Sequence, residues 1–309
     1  MIAFVFPGQG SQAVGMGKEL FDQFREAKAA FDEADDALSE KLSRLCFDGP
    51  EDALKLTANT QPAILATSAA VHAVFAARGP RPAFVAGHSL GEYSALVAAG
   101  AMPLSAAVKA VRARGTFMQE AVPQGVGAMA AVLGLSPEKV LEACNRAREG
   151  EVLAPANYNS PDQTVIAGHA AAVQRAEPIL KELGAKKVIP LQVSAPFHCA
   201  LMEPVKARLS GVLAPVPFQA PSCPVVTNVE AAPNADAARI RPLLIEQVTS
   251  PVRWIECVQT MEKAGVTKVV ELGPGKVLTG LVKRIAKGIE LFNVESAATL
   301  SKALAALGA

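Results

Sequence analysis

The sequence predicts an α/β fold in which a large part with a mainly parallel β-sheet carries a smaller, inserted part. Short apolar runs alternate with segments of helical periodicity over most of the 309 residues. This alternation is typical of a parallel sheet covered by helices on both faces. In the middle of the chain the order changes to strand, helix, two strands, helix and strand, which is the order of a ferredoxin-like unit.

The first third of the chain opens the large part. Ile2–Phe6 is an apolar run that Pro7 and Gly8 end, and this pattern predicts a buried strand. Apolar residues then recur at spacings of three and four over 20–38, which predicts one amphipathic helix. Similar patterns predict helices at 60–79, 92–99 and 104–121 and a strand at 83–86.

We expect the inserted part to span 125–197 and the large part to span 1–124 and 198–309. The predicted strands of the inserted part lie at 125–134, 152–157, 164–167 and 186–192, and its helices at 137–148 and 169–183. The chain then returns through a loop at 193–197. The remaining predictions are helices at 198–213, 237–248, 252–264 and 277–285, strands at 224–228, 268–272 and 290–294, and a C-terminal helix.

The composition argues against several classes of protein. The 30 basic and 29 acidic residues nearly balance and form no block of like charge, which disfavours a nucleic-acid partner. Five widely spaced cysteines give neither a disulfide framework nor a paired metal motif, as expected in a reducing cytosol. The N-terminus lacks the basic region of a signal peptide, and no apolar run reaches roughly 18 residues. We therefore expect a cytoplasmic protein that does not span a membrane.

The strongest chemical signal is Gly87-His88-Ser89-Leu90-Gly91. Gly-x-Ser-x-Gly between a strand and a helix is the nucleophile-elbow pattern, in which a sharp turn lifts the serine oxygen clear of the backbone. The glycines let strand and helix pack closely, and the N–H of Leu90 can stabilise an oxyanion. The pattern by itself also fits a plain turn, which the strand-to-helix context disfavours.

A serine nucleophile needs a base at neutral pH, and the sequence contains four histidines. His198 is favoured because it lies where the chain re-enters the large part, and such junctions often line clefts. His72 lies within an apolar helix, where a core or surface role is expected. His88 is next to the serine, so that its side chain should point away. His169 opens a predicted helix, where a capping role is equally suitable.

No third member of a catalytic triad is evident. An ordinary α/β-hydrolase has the chain order Ser, acid, His. The acids between Ser89 and His198, such as Asp162, Glu177 and Glu182, fall in the inserted part and are typical of turn or helix-surface charges. A serine–histidine pair oriented by an amide or a main-chain carbonyl is therefore plausible.

The loop after the first strand, Gly8-Gln9-Gly10-Ser11-Gln12-Ala13, allows two interpretations. It fits the loose dinucleotide pattern Gly-x-Gly-x-x-Gly/Ala. That pattern requires a second strand ending in an acidic residue about 20 residues later, whereas 19–38 has helical periodicity. The alternative is that Gln9 supplies a second backbone N–H to an oxyanion beside Ser89.

Two motifs, Phe6-Pro7-Gly8-Gln9-Gly10-Ser11-Gln12 and Gly87-His88-Ser89-Leu90-Gly91-Glu92-Tyr93, together resemble the malonyl-CoA:acyl carrier protein transacylase family. Segments at 112–115, 195–198, 247–254 and 271–275 agree with that family in the same order. The resemblance implies a hydrolase-like large subdomain interrupted by a ferredoxin-like small subdomain.

The resemblance also implies roles for individual residues. Ser89 would be the nucleophile and His198 its base, and the backbone N–H groups of Gln9 and Leu90 would stabilise the oxyanion. These four positions match the two motifs and the segment at 195–198.

Three further residues take roles from the resemblance alone. A carbonyl of Gln247 would orient the imidazole of the base. Arg114 would hold the malonyl carboxylate, for which a planar guanidinium is suited because it can bind bidentately. Phe197 resembles the residue found in the malonyl-selecting version of this loop in related acyltransferases.

The implied activity is transfer of a malonyl group from malonyl-CoA to the phosphopantetheine thiol of acyl carrier protein, through a malonyl-serine intermediate, in fatty acid biosynthesis. Malonyl-CoA and acyl carrier protein are the expected partners, no resident cofactor or metal is expected, and we expect a monomer. Three alternatives stay open: a stand-alone acyltransferase of a polyketide pathway, a serine hydrolase or thioesterase, and a non-catalytic carrier-binding module.

Overall fold

The structure, a computed structural model, describes residues 1–123, 125–191 and 195–309. Its strands are β1 (Ile2–Phe6), β2 (Phe84–Gly87), β3 (Gly127–Leu133), β4 (Leu153–Ser160), β5 (Gln163–His169), β6 (Lys187–Pro190), β7 (Val225–Val226), β8 (Pro233–Asn234), β9 (Lys268–Leu272) and β10 (Glu290–Val294). Its helices are α1 (Lys18–Gln23), α2 (Arg25–Leu38), α3 (Leu42–Asp48), α4 (Glu51–Lys55), α5 (Thr57–Ala76), α6 (Gly91–Ala98), α7 (Leu104–Glu120), α8 (Pro137–Ala147), α9 (Ala170–Glu182), α10 (Glu203–Leu213), α11 (Ala237–Glu246), α12 (Trp254–Lys263), α13 (Val277–Ile285) and α14 (Ala297–Leu307).

The larger sheet has the strand order β10-β9-β1-β2-β7-β8. Its pairs are parallel except for the short β7–β8 pair. Alternate residues of β1 face two separate cores, with Phe4 and Phe6 in one and Ala3 and Val5 in the other, because successive side chains of a strand point to opposite faces. The predicted hydrolase-like subdomain with a mainly parallel sheet is confirmed.

The smaller sheet is antiparallel and has the order β4-β5-β3-β6. In β3, Ala130 and Val132 belong to the apolar core that includes α8 and α9, whereas Met129 and Ala131 belong to the core of the large subdomain. The ferredoxin-like prediction is thus confirmed, and one face of this sheet packs against the rest of the protein. The boundaries proposed at 124/125 and 197/198 stay predictions. Residue 124, the end of the last strand predicted for the inserted part (residue 192) and the start of the predicted return loop (193 and 194) lie outside the described residues.

Strand β4 also joins the two subdomains directly. The N–H of Tyr158 donates to the carbonyl of Val252 at 2.9 Å, and the N–H of Val252 donates to the carbonyl of Ala156 at 2.9 Å. Main-chain bonds therefore hold the small sheet against the segment of the large subdomain that precedes α12.

Two helix predictions in the first third were wrong in detail. The single helix expected at 20–38 is divided at Phe24, whose backbone is extended (φ −126°, ψ 124°) and whose N–H closes α1. The apolar spacing conceals this break because Phe21 and Phe31, on either side of it, pack edge to face. Helix α5 begins at Thr57, before the predicted start, with Pro62 inside the helix.

Other differences concern short elements. Helices α3 and α4 were not predicted, and the strand expected at 224–228 is paired only at Val225–Val226. The helix expected from 198 starts with a 3₁₀ turn at Ala200–Met202 and becomes α-helical at Glu203. Of the helices that the structure describes, none is long and apolar enough to cross a membrane.

Candidate active site

Ser89 lies in a sharp turn between the end of β2 and the start of α6. Its φ is 52°, a left-handed conformation that costs free energy in a non-glycine residue. A Cβ atom at Gly87 would lie 1.9 Å from the carbonyl of Gly91, and a Cβ at Gly91 would lie 2.1 Å from the oxygen of Phe6. Both positions must be glycine for strand and helix to approach this closely, and the turn then holds the serine oxygen clear of the backbone.

Asn228 braces this turn from the neighbouring strand. Its Nδ2 donates to the carbonyl of Gly87 at 2.7 Å, and its Oδ1 accepts the N–H of Ser89 at 2.7 Å. The side chain is fully buried just after β7. Sequence analysis did not single out Asn228, although a polar residue that follows a strand beside β2 was an available signal.

His198 lies against Ser89, with 2.7 Å between Nε2 and the serine Oγ. Its Nδ1 is within hydrogen-bonding distance of the main-chain carbonyls of Gln247 (2.9 Å) and Ser250 (3.2 Å). Since carbonyl oxygens only accept, Nδ1 carries the proton and Nε2 is free to accept one. Burial, together with the positive charge of Arg114, lowers the pKa of His198 to about 3. The imidazole is therefore neutral at pH 7.

The carboxylates weighed as a third triad member lie elsewhere. Asp162 accepts from Ser160, Glu177 pairs with Lys181, and Glu182 pairs with Arg146. All three are surface charges, as predicted. The imidazole of His198 is instead oriented by main-chain carbonyls, of which the one from Gln247 is closer.

Arg114 projects from α7 toward the serine and is only 1% exposed. Its Nη2 lies 3.1 Å from Ser89 Oγ and 3.0 Å from Gln247 Oε1, and its Nη1 lies 2.8 Å from Gln61 Oε1. Among the described residues these partners are all neutral. A buried guanidinium without a carboxylate partner is costly, so the site is suited to bind an anion beside the serine. Gln61 was missed because nothing in the sequence marks one buried glutamine in an apolar helix.

Gln9 and Leu90 line the same cavity as Ser89. Leu90 is the N-cap of α6, and N–H groups in the first turn of a helix have no partner within the helix. Gln9 lies in the loop after β1, which approaches the elbow so closely that a Cβ at Gly8 would be 2.5 Å from the oxygen of His88. Both residues therefore line the cavity that holds the Ser89 side chain.

The cavity lies between the subdomains. Met118 lines it from the large subdomain, Met129 and Asn157 line it from the small one, and Phe197 lines it next to the base in the sequence. Both subdomains therefore contribute to its walls, which combine apolar side chains with the polar groups around Ser89.

Glu92 is a further buried polar residue that sequence analysis did not single out. One of its carboxylate oxygens accepts the N–H of Asn228 at 2.9 Å and the Nε2 of Gln247 at 2.8 Å. Burial raises the pKa of this carboxyl to about 7. The amide of Gln247 thus connects Glu92 to Arg114.

The other histidines have different surroundings. His88 also lines the cavity, and its Nε2 lies 2.8 Å from Asn159 Oδ1. His72 packs edge-on near Phe4 and Phe6 in the core. The capping role suggested for His169 is wrong: it occupies the N-cap position of α9, but its Nδ1 instead accepts the N–H of Val152 at 3.0 Å.

Comparison with known proteins gives the same family throughout. The family model described as acyl transferase domain matches residues 3–303. The malonyl CoA-acyl carrier protein transacylase of Bacillus subtilis is 49% identical over 307 residues, covering 99% of this chain and 97% of the relative. That of Salmonella typhimurium is 48% identical over 303 residues, covering 98% of each.

Solved structures agree over nearly the whole chain. An acyl carrier protein S-malonyltransferase from Vibrio cholerae has a TM-score of 0.96 and 50% identity, covering 98% of this chain and 99% of its own. A malonyl-transacylase in complex with a type II polyketide synthase acyl-carrier protein has a TM-score of 0.96 and 45% identity, covering 99% of each chain. The chain therefore belongs to the acyl transferase family and, within it, to the malonyl-CoA:acyl carrier protein transacylases.

Proposed function

We propose that this protein transfers a malonyl group from malonyl-CoA to the phosphopantetheine thiol of acyl carrier protein, through a malonyl ester on Ser89. One observation carries the proposal: the Ser89 Oγ lies 2.7 Å from His198 Nε2 and 3.1 Å from Arg114 Nη2. The nucleophile thus has a neutral base on one side and a buried cation on the other. Its relatives bear the name of this activity.

In the first half of the proposed reaction, His198 accepts the proton of Ser89 as the serine oxygen attacks the thioester carbonyl. The backbone N–H groups of Gln9 and Leu90 stabilise the oxyanion, and donors of this kind contribute roughly 3–4 kcal/mol each. The C–S bond then breaks, and the imidazolium of His198 returns the proton to the sulfur of coenzyme A.

In the second half, the thiol of the carrier protein attacks the malonyl ester, and His198 again accepts the proton. The serine leaves as its alcohol and is ready for another cycle. The thiol belongs to the partner and the base to this chain, so the proposed chemistry requires no resident metal or cofactor.

Arg114 is proposed to select the acyl group. Its guanidinium would bind the malonyl carboxylate, whereas a neutral acetyl group would leave the buried charge without an anionic partner. Phe197 also lines the cavity, and in this proposal it would limit the space available to the acyl group.

Intact mass spectrometry after mixing with malonyl-CoA tests the proposal. We expect one malonyl adduct that persists until carrier protein is added, and no adduct in Ser89→Ala. Rapid loss of the adduct in buffer alone would identify a hydrolase or thioesterase instead. Unchanged labelling of Ser89→Ala would remove Ser89 as the nucleophile, and absence of any labelling in the unmodified protein would favour a non-catalytic carrier-binding module.

We infer a role in fatty acid biosynthesis, in the cytoplasm and as a monomer. The second candidate is a polyketide pathway, which the similarity to a malonyl-transacylase bound to a type II polyketide carrier favours. Transfer rates to fatty-acid and polyketide carrier proteins distinguish the two candidates. Light scattering at working concentration tests the monomer.

A further inference from the structure

Glu92 is a buried carboxylate that the proposed reaction does not use. It lies in the first turn of α6, three residues after the nucleophile, and is 2% exposed. Its hydrogen-bond partners are the N–H of Asn228 and the side-chain amide of Gln247. Across the described ranges, no Lys or Arg side chain is within ion-pair distance of Glu92.

The side-chain amide of Gln247 lies between Glu92 and Arg114. Its Nε2 donates to Glu92 Oε2 at 2.8 Å, and its Oε1 accepts from Arg114 Nη2 at 3.0 Å. All three side chains are buried. In the free protein, the charge of Arg114 is therefore offset by that of Glu92 across one amide, in a region where charges are weakly screened.

The proposed substrate brings a second carboxylate to this region. Once the acyl carboxylate lies beside Arg114, two buried anions share one buried cation. A carboxyl group that is buried and not fully compensated favours its protonated form. The negative and positive charges in the site are therefore equal once one of the two carboxylates takes up a proton.

We propose that Glu92 takes up one proton when the acyl carboxylate enters beside Arg114, so that loading of a carboxylated acyl group is coupled to pH and loading of a neutral one is not. The inference rests on the proposed function and names a further residue that shapes its specificity. Glu92 is a positioning residue in this proposal, because it acts through Gln247 and Arg114 and does not touch the acyl group.

The other acids around Glu92 are unsuited to this role. Tyr93 on the same helix and Cys257 from α12 both have their pKa raised by burial, so each stays neutral and has no charge to lose. Burial raises the pKa of Glu92 only to about 7. Its proton exchange therefore falls in the range where the protein works.

The bases nearby are also less suited. Burial lowers the pKa of His88, and burial together with Arg114 lowers that of His198 to about 3. Both imidazoles therefore bind a proton less readily than a solvent-exposed histidine does. Burial already raises the pKa of Glu92 to about 7, and loss of its compensation by Arg114 would raise this pKa further.

The acyl transfer itself consumes no proton, since the hydrogen of the Ser89 hydroxyl ends on the sulfur of coenzyme A as the O–C bond forms and the C–S bond breaks. The additional proton comes from solvent. Ionisation of the released coenzyme A gives up the same number of protons whether the donor is malonyl-CoA or acetyl-CoA. The difference between the two donors therefore reports the acyl carboxylate alone.

The test mixes stoichiometric enzyme with malonyl-CoA or acetyl-CoA in weak buffer containing a pH indicator, and intact mass gives the adduct. At pH 8 we expect about one more proton taken up per malonyl than per acetyl adduct, and at pH 6 almost none, because Glu92 is then already protonated. By linkage, the malonyl-loading equilibrium constant falls about tenfold per pH unit above 7 relative to acetyl.

Glu92→Gln keeps an acceptor oxygen but cannot ionise. In this variant we expect no difference in proton uptake between the donors, and more malonyl adduct than in the unmodified protein at pH 8. Structural damage would only reduce the adduct, so an increase is diagnostic.

The matched control is Glu271→Gln. Glu271 is equally buried, accepts the N–H groups of Leu278 and Thr279 outside the site, and has a pKa that burial raises to about 7. We expect this variant to keep the difference in proton uptake between malonyl-CoA and acetyl-CoA.

Equal proton uptake with both donors at pH 8 in the unmodified protein overturns the proposal, and that comparison needs no variant. The proposal is also overturned if Glu92→Gln shows the same difference in proton uptake between the two donors as the unmodified protein. A malonyl adduct with equal uptake overturns only this inference, whereas absence of a malonyl adduct overturns the proposed function as well.

Discussion

The Nε2 atom of His198 lies 2.7 Å from the Oγ atom of Ser89, although 109 positions separate the two residues in the sequence. Both residues have positive φ angles, 52° for Ser89 and 59° for His198. Each backbone is therefore held in a conformation that only its surroundings can maintain. Such strain at two facing residues is typical of a functional site, and it makes their side chains the first targets for substitution.

Replacing His198 with alanine should slow formation of the acyl adduct by roughly 10²–10⁴-fold, the usual contribution of a positioned general base. Rapid-quench measurement of malonyl adduct against time checks the rate. His72→Gln is the control, since the half-buried His72 packs near Phe4 and is not among the residues that line the cavity, and we expect this variant to load at the normal rate. Equal rates in His198→Ala and the unmodified protein would exclude His198 as the base.

Much of the fold could be predicted from the sequence. The alternation of strands and helices and the Gly-x-Ser-x-Gly turn depend on local sequence. The spacing of apolar residues marks the strands and helices, and Gly and Pro mark the turns. The break at Phe24 and the early start of α5 could not be predicted, because tertiary packing rather than local sequence sets them. The same holds for β7, whose two residues pair with β2 on one side and β8 on the other.

The site could be predicted only in part. Ser89 has a local motif, and the position of His198 at a junction favoured it among four histidines. Gln61 lies on α5, Glu92 on α6 and Asn228 just after β7, and only folding brings them to the site. Their roles depend on burial and on hydrogen bonds to residues far away in the chain, neither of which is visible in one sequence.

Arg114→Ala should reduce malonyl loading by roughly 10- to 100-fold, because charge-assisted hydrogen bonds contribute about 1.5–3 kcal/mol. Acetyl loading should fall much less, since it makes no such bond. The measurement is kcat/KM for both donors. Arg112→Ala is the control, because Arg112 lies on the same helix but contacts Asn59 and Glu40 outside the cavity. An equal loss of kcat/KM for malonyl-CoA and acetyl-CoA would show that Arg114 does not bind the malonyl carboxylate.

His72→Leu should reduce the loss of stability in acid. Burial lowers the pKa of His72 from 6.5 to about 4, so the unfolded chain binds this proton at a higher pH than the folded protein does. Stability therefore falls as the pH decreases from 6.5 to 4, by at most roughly 1.4 kcal/mol per pH unit. Urea unfolding at several pH values gives the slope. Identical slopes for the variant and the unmodified protein would show that His72 does not contribute.

Two glycine substitutions should have opposite effects on the free energy of unfolding. Gly211 lies within α10, and a Cβ atom there would meet no atom within 4 Å. Gly211→Ala should stabilise the protein by about 0.5–1 kcal/mol, because alanine loses less conformational entropy in a helix. Gly87→Ala would place a Cβ 1.9 Å from the Gly91 carbonyl, which forces α6 away from β2.

For Gly87→Ala we therefore expect a large loss of stability together with loss of the malonyl adduct, since the Ser89 turn cannot keep its geometry once the helix moves. Urea unfolding and intact mass check both effects on the same samples. Normal loading by Gly87→Ala would mean that the nucleophile does not depend on close contact between β2 and α6. A destabilised Gly211→Ala would mean that α10 has a neighbour that excludes a methyl group.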